Sequence, residues 1–349
     1  MITVGMSTSC VFPLSTDEAF RLARLTGFDG VEVMVTADRA TRRPELLRAA
    51  TARWGLPVLS VHAPVLPVAH FAFGRDQVDK LRRSAGLARE LGATTVVVHP
   101  PFVWQRSYAA RFVDVVREIA AETGVTLAVE NMFPVRFGPA GFDPYRPGHD
   151  PSSLDVEAAT LDFSHAAVAG RDALDLALAL GPRLRHVHLT DGVVSSRPGG
   201  LHDQHRVPGR GTQPVAEVLT HLARSGWAGT VAAEVHTDGD EEARLGQLRR
   251  TLAFARRHLA TAPASAASAP ARQTNSTVAT TASGTVTAAT PRPASTNRPH
   301  ATSTPIDDKR ECHSSVASEA HGVTRQPMLT PTSTATSRSG DPATGSRAR

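Results

Sequence analysis

Short apolar runs alternate along this chain with longer stretches in which apolar residues return every third or fourth position. The runs Thr3–Met6, Gly30–Val35, Pro57–Val61, Thr94–His99, Thr126–Glu130, Ala159–Asp162, Leu184–Leu189 and Thr230–Glu234 are rich in Val, Ile, Leu or Ala. Each reads as a short strand buried on both faces. The longer stretches read as helices. Thr16, Asp17 and Glu18 open one with a capping residue and an acidic first turn, and Gly27 ends it. A second runs from Asp76 to Leu91 and is closed by Gly92. Others cover about Tyr108–Thr123, Asp172–Leu180, Pro214–Ser225 and Glu241–Leu259, with Pro214 suited to a first helical position.

Eight strands alternating with helices over residues 1–260 imply an α/β fold of the (β/α)8 TIM-barrel type. A doubly wound open sheet would announce itself with a Gly-rich loop after the first strand, and Gly5–Cys10 (GMSTSC) is no such loop. Two connections, Asn131–Glu157 and Thr190–Gln213, are long. Long loops in a compact domain tend to be functional, and in a barrel both would lie at the C-terminal face.

Composition changes the picture beyond residue 260. Residues 261–349 contain 56 Ser, Thr, Ala or Pro among 89 and no Phe, Trp or Tyr. Such a segment buries too little apolar surface to offset its chain entropy, so it is expected to be a disordered tail behind a single barrel domain. Charge divides at the same place. Residues 1–260 carry 29 Lys+Arg against 28 Asp+Glu, a net +1, whereas the tail carries 9 against 5, a net +4. The basic balance thus belongs to the tail. A nearly neutral core disfavours a nucleic-acid partner. The loop after Val35 with Arg39, Arg42 and Arg43 reads equally well as a solvated charge run entering a helix. Cys10 and Cys312 cannot build a disulfide framework, no signal-like segment opens the chain, and no run of 18 apolar residues occurs. These features point to a cytoplasmic protein without a membrane span.

The candidate chemistry lies at the strand ends. Six successive strands end in His62, His99, Glu130, Asp162, His188 and Glu234; His165 follows three residues after Asp162, and the long loop after His188 holds Asp203 and His205. Any one of these could be an isolated polar strand end. In a barrel, however, the ends converge, and converging imidazoles and carboxylates without thiolates are a ligand set for Zn2+, Mn2+ or a similar divalent ion.

The order of these residues resembles the xylose isomerase-like TIM-barrel superfamily, which includes sugar isomerases and epimerases and the endonuclease IV-type apurinic endonucleases. The resemblance covers nearly all of residues 1–260 and rests on Gly27–Glu32 (GFDGVE), Ser60–Pro64 (SVHAP), Val97–Pro100 (VVHP), Val129–Asn131 (VEN), Asp162–His165 (DFSH), His186–Leu189 (HVHL), Asp203–His205 (DQH) and Pro208–Gly211 (PGRG). It implies that the epimerase branch would bind one ion through Glu130, Asp162, His188 and Glu234, the two glutamates also acting as acid and base. It implies that the endonuclease branch would bind three zinc ions with the further help of His62, His99, His165, Asp203 and His205. All nine residues are present, so one to three ions per chain are compatible with the sequence.

Around this set, Arg210 between Gly209 and Gly211 could present a guanidinium and backbone N–H groups to a phosphate, or could be an ordinary turn before the next helix. Trp104, with Phe102, Met132 and Phe133, could wall a substrate pocket, although ordinary packing explains them equally well. His186 points to the same side as His188 and is expected beside the ligands rather than among them; Asp191 and His236 are expected to support them. The resulting expectation is a metal-dependent isomerase or epimerase of a small sugar or sugar phosphate. The alternative is a zinc-dependent phosphoesterase of the apurinic endonuclease type, and a non-catalytic metal-binding scaffold is a third class.

Overall fold

A computed structural model describes residues 1–65, 69, 71–137, 140–193 and 203–260. The expected tail, 261–349, and a segment of the second long loop, 194–202, lie outside the described residues. Eight parallel strands form the closed barrel in chain order: β1 Ile2–Ser7, β2 Gly30–Met34, β3 Val58–His62, β4 Thr95–Val98, β5 Thr126–Glu130, β6 Ala159–Asp162, β7 Leu184–Leu189 and β8 Gly229–Ala233. Each pairs with the next, and β8 closes on β1 with Ile2 opposite Gly229 and Met6 opposite Ala233. The expected (β/α)8 architecture is therefore present.

The helices form where local signals and an apolar stripe agree. Helix α1, Thr16–Thr26, starts at Ser15, whose side chain accepts the Glu18 N–H, and stops at Gly27 in the left-handed conformation. Helix α2, Pro44–Trp54, begins with proline in its first turn and ends at Gly55. In the sequence it figured only as the helix that the run of Arg39, Arg42 and Arg43 would enter. Helix α3, Gln77–Leu91, is capped by Asp76 and closed by Gly92. The short α4, Arg106–Ala110, leads into α5, Phe112–Thr123. Then come α6 Phe163–Ala169, α7 Ala173–Leu180, α8 Val215–Arg224 and α9 Glu241–Leu259. None of the described helices is long and apolar enough to cross a membrane.

One continuous apolar core lies between strands and helices, with Phe20, Leu22, Leu47, Phe112, Ile119 and Leu176 almost wholly buried. Gly30 opens β2 where a Cβ would lie 2.7 Å from Pro57 O and 2.6 Å from Leu59 Cγ, so only glycine fits. A smaller cluster of Met132, Phe133 and Tyr145, with Phe102 packed against it, lies under the loop after β5. That loop also carries a two-stranded hairpin, Val135–Phe137 with Ala140–Phe142.

Candidate metal centre

Glu130 closes β5, is wholly buried, and gathers four imidazoles. His99 Nε2 lies 2.8 Å and His62 Nε2 3.3 Å from its Oε2; His188 Nδ1 lies 2.9 Å and His165 Nδ1 3.3 Å from its Oε1. The same His188 Nδ1 also has Glu234 Oε2 at 2.9 Å and Asp162 Oδ2 at 3.8 Å. One ring nitrogen on β7 thus faces carboxylates from the ends of β5, β6 and β8. The donor atoms of Glu130, Asp162, His188 and Glu234 all lie within 4.8 Å of one another, and all four side chains are buried. A second lobe adjoins the first. Asp203 Oδ2 is 3.2 Å from His165 Nε2 and 2.8 Å from His205 Nε2, and Asp162, His165 and His205 also bring donor atoms within 4.8 Å of one another. All nine strand-end and loop residues singled out in the sequence therefore meet in one patch.

The ring orientations follow from what holds the outer nitrogens. Nδ1 lies 2.9 Å from Ala63 O in His62, 2.9 Å from Asn131 O in His165 and 2.7 Å from Glu234 O in His205. An N–H donated to each carbonyl turns Nε2 toward the carboxylates. His188 is the reverse: Nε2 donates to Glu32 Oε1 at 3.1 Å, and Nδ1 faces the cluster. Glu32 sits in the middle of β2, fully buried, with Ser60 Oγ donating to its Oε2 at 2.8 Å. His186 Nε2 lies 2.8 Å from the same oxygen but is not aligned for a hydrogen bond.

Electrostatics bind these groups together. Burial pushes the Glu130 carboxyl up, but the positive charge of His188 and the imidazoles gathered around it together hold it well below the usual carboxylate range; at Glu32 and Glu234 His188 and its neighbours together likewise outweigh burial. Asp203 is also held low against burial, by His165 and His205. Asp162 behaves differently: burial raises it to about 6. Its Oδ1 accepts the His165 N–H at 2.7 Å and so caps α6, while its buried Oδ2 has no hydrogen-bond partner. A buried carboxylate oxygen without a donor is costly, and a divalent cation is the ordinary partner for such an atom. Three carboxylates and one imidazole converging on one point suit an ion that accepts both oxygen and nitrogen ligands.

Three supporting groups had no assigned role in the sequence. Glu32 was visible there as a lone charge inside a buried strand. Asn131 bridges β5 to β6, taking the Asp162 N–H on Oδ1 at 2.7 Å and donating Nδ2 to Asp162 O at 3.0 Å. Ser164 fixes the second loop: its hydroxyl donates to Asp203 Oδ1 at 2.6 Å and accepts the Gln204 and His205 N–H groups. His205 itself has a positive φ of 41°, a strained conformation for a residue with a side chain, held by these contacts.

Other candidates fall elsewhere. Asp191 was expected beside the ligands. Its carboxylate instead accepts backbone N–H groups of Gly192, Gly209, Gly211 and Gln213 and organises the loop. A Cβ at Gly211 would collide with that carboxylate. The N–H groups flanking Arg210 are therefore already bound, and the exposed Arg210 retains only its guanidinium for a ligand. His236 is exposed, with its ring 4.9 Å from that of His205. Trp104 is 63% exposed and stacks on Phe102 at 4.4 Å, which in turn stacks on Tyr145 at 5.0 Å. Met132 and Phe133 are buried, and the Phe133 ring lies 5.1 Å from that of His165.

Comparison with known proteins bears on the fold that carries this cluster. An uncharacterized protein of Mycobacterium tuberculosis (strain ATCC 25618 / H37Rv) is 44% identical over 276 residues, covering 73% of this chain and 96% of the relative. Fructoselysine 3-epimerase of Escherichia coli O157:H7 is 22% identical over 276 residues, covering 69% of this chain and 93% of that protein. Among solved structures, a D-tagatose 3-epimerase-like protein matches with a TM-score of 0.53 at 21% identity, over 74% of this chain and 100% of that one. A likeness at that identity concerns the fold. The model of the family described as xylose isomerase-like TIM barrel matches residues 20–258, from within α1 to the end of α9. That match takes in every strand end described above except that of β1, and the chain belongs to the xylose isomerase-like TIM barrel family.

Proposed function

We propose that this protein is a divalent-metal-dependent isomerase or epimerase of a small sugar or sugar phosphate. The observation that carries this reading is the pair Glu130 and Glu234, each 2.9 Å from His188 Nδ1 and brought there by strands on different sides of the barrel. Glu130, Asp162, His188 and Glu234 would hold the ion, Zn2+ or Mn2+. When bound, the ion would polarise a substrate carbonyl and so acidify the neighbouring C–H.

The remaining chemistry falls to the chain. Glu130 and Glu234 are both ionised at neutral pH, so either carboxylate can take the proton from the carbon beside the carbonyl. That same carboxylate, now carrying the proton, returns it to the neighbouring carbon while a proton passes between the two substrate oxygens; for inversion the opposite carboxylate first takes a proton from solvent and gives it to the opposite face, and the first releases its own to solvent. The net result is an inverted centre or a moved carbonyl. Ser9 Oγ donates to Glu234 Oε1 at 3.2 Å and fixes the orientation of that carboxylate. Burial lowers the pKa of His99, despite Glu130, and this favours a neutral ring able to hydrogen-bond a sugar hydroxyl. Buried Cys10 as a free thiol supports a reducing, cytoplasmic setting.

The test is proton exchange. Metal-loaded protein in heavy water should introduce deuterium beside the carbonyl of a ketose or aldose substrate, and chelation should stop it. A panel of sugars and sugar phosphates showing no exchange in the presence of bound metal would remove this reading. The second lobe, Asp203 with His165 and His205, favours the other reading, a metal-dependent phosphoesterase with as many as three ions. The number of ions per chain separates the two.

A further inference from the structure

Tyr145 is 6% exposed, yet among the described residues its hydroxyl has no hydrogen-bond partner. A buried tyrosine ordinarily pairs that group. Its other contacts are made by the backbone and the ring. The N–H donates to Asp143 Oδ1 at 2.9 Å, the carbonyl accepts from Arg146 Nη1 at 2.8 Å, and the ring stacks on Phe102 at 5.0 Å. The hydroxyl is not sealed in either: among the described residues, the fully buried polar side-chain atoms without a partner belong to Arg42, Asp162 and His186. The Tyr145 oxygen is thus unpaired and open to a group from outside the chain.

Its position is fixed from two sides. The loops after β4 and β5 are zipped together where the Val103 N–H donates to Pro144 O at 2.7 Å and the Arg146 N–H to Pro101 O at 2.8 Å, with Phe102 and Tyr145 bridged between them. The first loop starts at His99, and the second carries Phe133, which packs with Tyr145 and lies 5.1 Å from the His165 ring. His99 and His165 both touch Glu130. Burial pushes the Tyr145 phenol up to about 12, so it keeps its proton at neutral pH. The charges of His165, Glu130 and Asp203 act on it more strongly than that of Asp143, its near neighbour in the chain. Such forces weaken with distance, so the hydroxyl is turned toward the carboxylate cluster.

We propose that Tyr145 is a specificity residue of the substrate site, its O–H donating to a hydroxyl oxygen of the bound sugar. The inference rests on the sugar isomerase or epimerase reading and narrows the substrate to sugars with a free hydroxyl at the carbon that meets the His99 and His165 flank of Glu130. A phenol this reluctant to ionise gives a hydrogen bond rather than a proton, so the acid–base work stays with Glu130 and Glu234. Held by the zipped loops, the donor needs little further ordering on binding. An analogue lacking that hydroxyl leaves the phenol unpaired, and the loss of one neutral hydrogen bond weakens binding about three- to tenfold.

The chain has only two tyrosines, Tyr108 and Tyr145, which makes a direct test possible. The zinc-loaded full chain, made with tyrosine isotope-labelled at the ring carbon that bears the hydroxyl, should give two resonances, assigned with Tyr108→Phe. Fructose, ribulose and glucose are the probes, their binding measured by calorimetry. A sugar that binds should move the Tyr145 resonance and leave that of Tyr108. Tyr145→Phe keeps the stack on Phe102 and should bind that sugar about three- to tenfold more weakly. One singly deoxygenated analogue of the sugar should bind wild type and variant equally, and that analogue identifies the hydroxyl. A bound sugar that leaves the Tyr145 resonance unmoved refutes the proposal, whether or not the variant folds. So does a variant with wild-type affinity, or one that binds every deoxygenated analogue more weakly than wild type does. The underlying reading fails separately: a sugar that moves Tyr145 but never exchanges its proton in heavy water leaves the residue its role and removes the isomerase, while a panel from which nothing binds overturns both.

Discussion

His188 donates Nε2–H to Glu32 Oε1 at 3.1 Å, and both side chains are completely buried. This bond decides which nitrogen of His188 faces the carboxylate cluster. Without it the ring could flip or change tautomer, and Nδ1 would no longer be presented as a lone pair. Glu32→Gln keeps the shape but lets the amide offer its NH2 to His188. We expect metal affinity to fall about 10- to 100-fold, the usual effect of losing such a supporting group. Equilibrium dialysis against a zinc buffer measures it. Unchanged affinity would show that packing alone orients His188.

Glu234→Gln should act on turnover far more than on folding. The substitution removes one proton acceptor at nearly constant volume, and the Ser9 hydroxyl can still donate to the remaining carbonyl oxygen. Proton exchange should drop by roughly 10²- to 10⁴-fold once metal is supplied at saturation. The thermal transition should move by only a few degrees. Near-normal exchange with metal bound would exclude Glu234 as an acid or base.

The Asp203–His205 pair predicts a pH effect in metal-free protein. Burial disfavours the His205 cation, but Asp203 at 2.8 Å more than compensates, and the pKa is pushed up to about 10 from 6.5. A raised folded-state pKa means that the stabilisation is complete below about pH 6.5 and is lost as pH rises through about 10. In chelator-treated protein the melting temperature of wild type should exceed that of His205→Gln most clearly near pH 6, by on the order of 5 °C. The gap should close toward pH 10. A gap that widens with pH would mean that His205 is neutral in the folded state.

The barrel was legible because parallel strands buried on both faces leave an unmistakable pattern, and because a polar residue at the end of such a run stands out. His62, Glu130 and Asp162 are the last residues of their strands, and His99 and Glu234 follow theirs directly. Glu32 escaped because it interrupts β2 in mid-run, where periodicity assigns it to a face but names no partner. Helix α6 escaped for another reason. It is seven residues long, and its cap is Asp162, a residue whose type and position read first as a ligand. Asp191 illustrates a deeper limit. Adjacency to β7 suggested the cluster, but its partners are the N–H groups of residues up to 22 positions ahead. Only loop closure in three dimensions brings those groups back.

Residues 261–349 should be dispensable for the barrel. Their missing aromatics and their Ser, Thr, Ala and Pro content give them little to bury. A chain ending at Ala260, the last residue after α9, should keep its metal content and melt within about 2 °C of the full chain, a shift of about 1 kcal/mol or less for a domain of this size. A large loss of either would place part of the segment on the barrel.

His99→Ala separates the isomerase from the phosphoesterase. The His99 side chain is 18% exposed, lies at the rim of the cluster and touches Glu130 Oε2 rather than His188. A four-residue centre of Glu130, Asp162, His188 and Glu234 does not need it. On the isomerase reading the variant should therefore retain one ion, while substrate binding weakens by roughly tenfold from the loss of one hydrogen bond to a hydroxyl. In a three-ion hydrolase His99 would itself be a ligand, and its removal should release at least one ion and abolish cleavage. Metal content per chain, measured beside nicking of an abasic-site duplex, distinguishes the outcomes. The nearly neutral charge of residues 1–260 leads us to expect the first, because grip on a phosphate backbone draws on a surplus of Lys and Arg that these residues lack. Metal-dependent nicking by the wild type that disappears in His99→Ala together with an ion would overturn the isomerase reading in favour of the hydrolase.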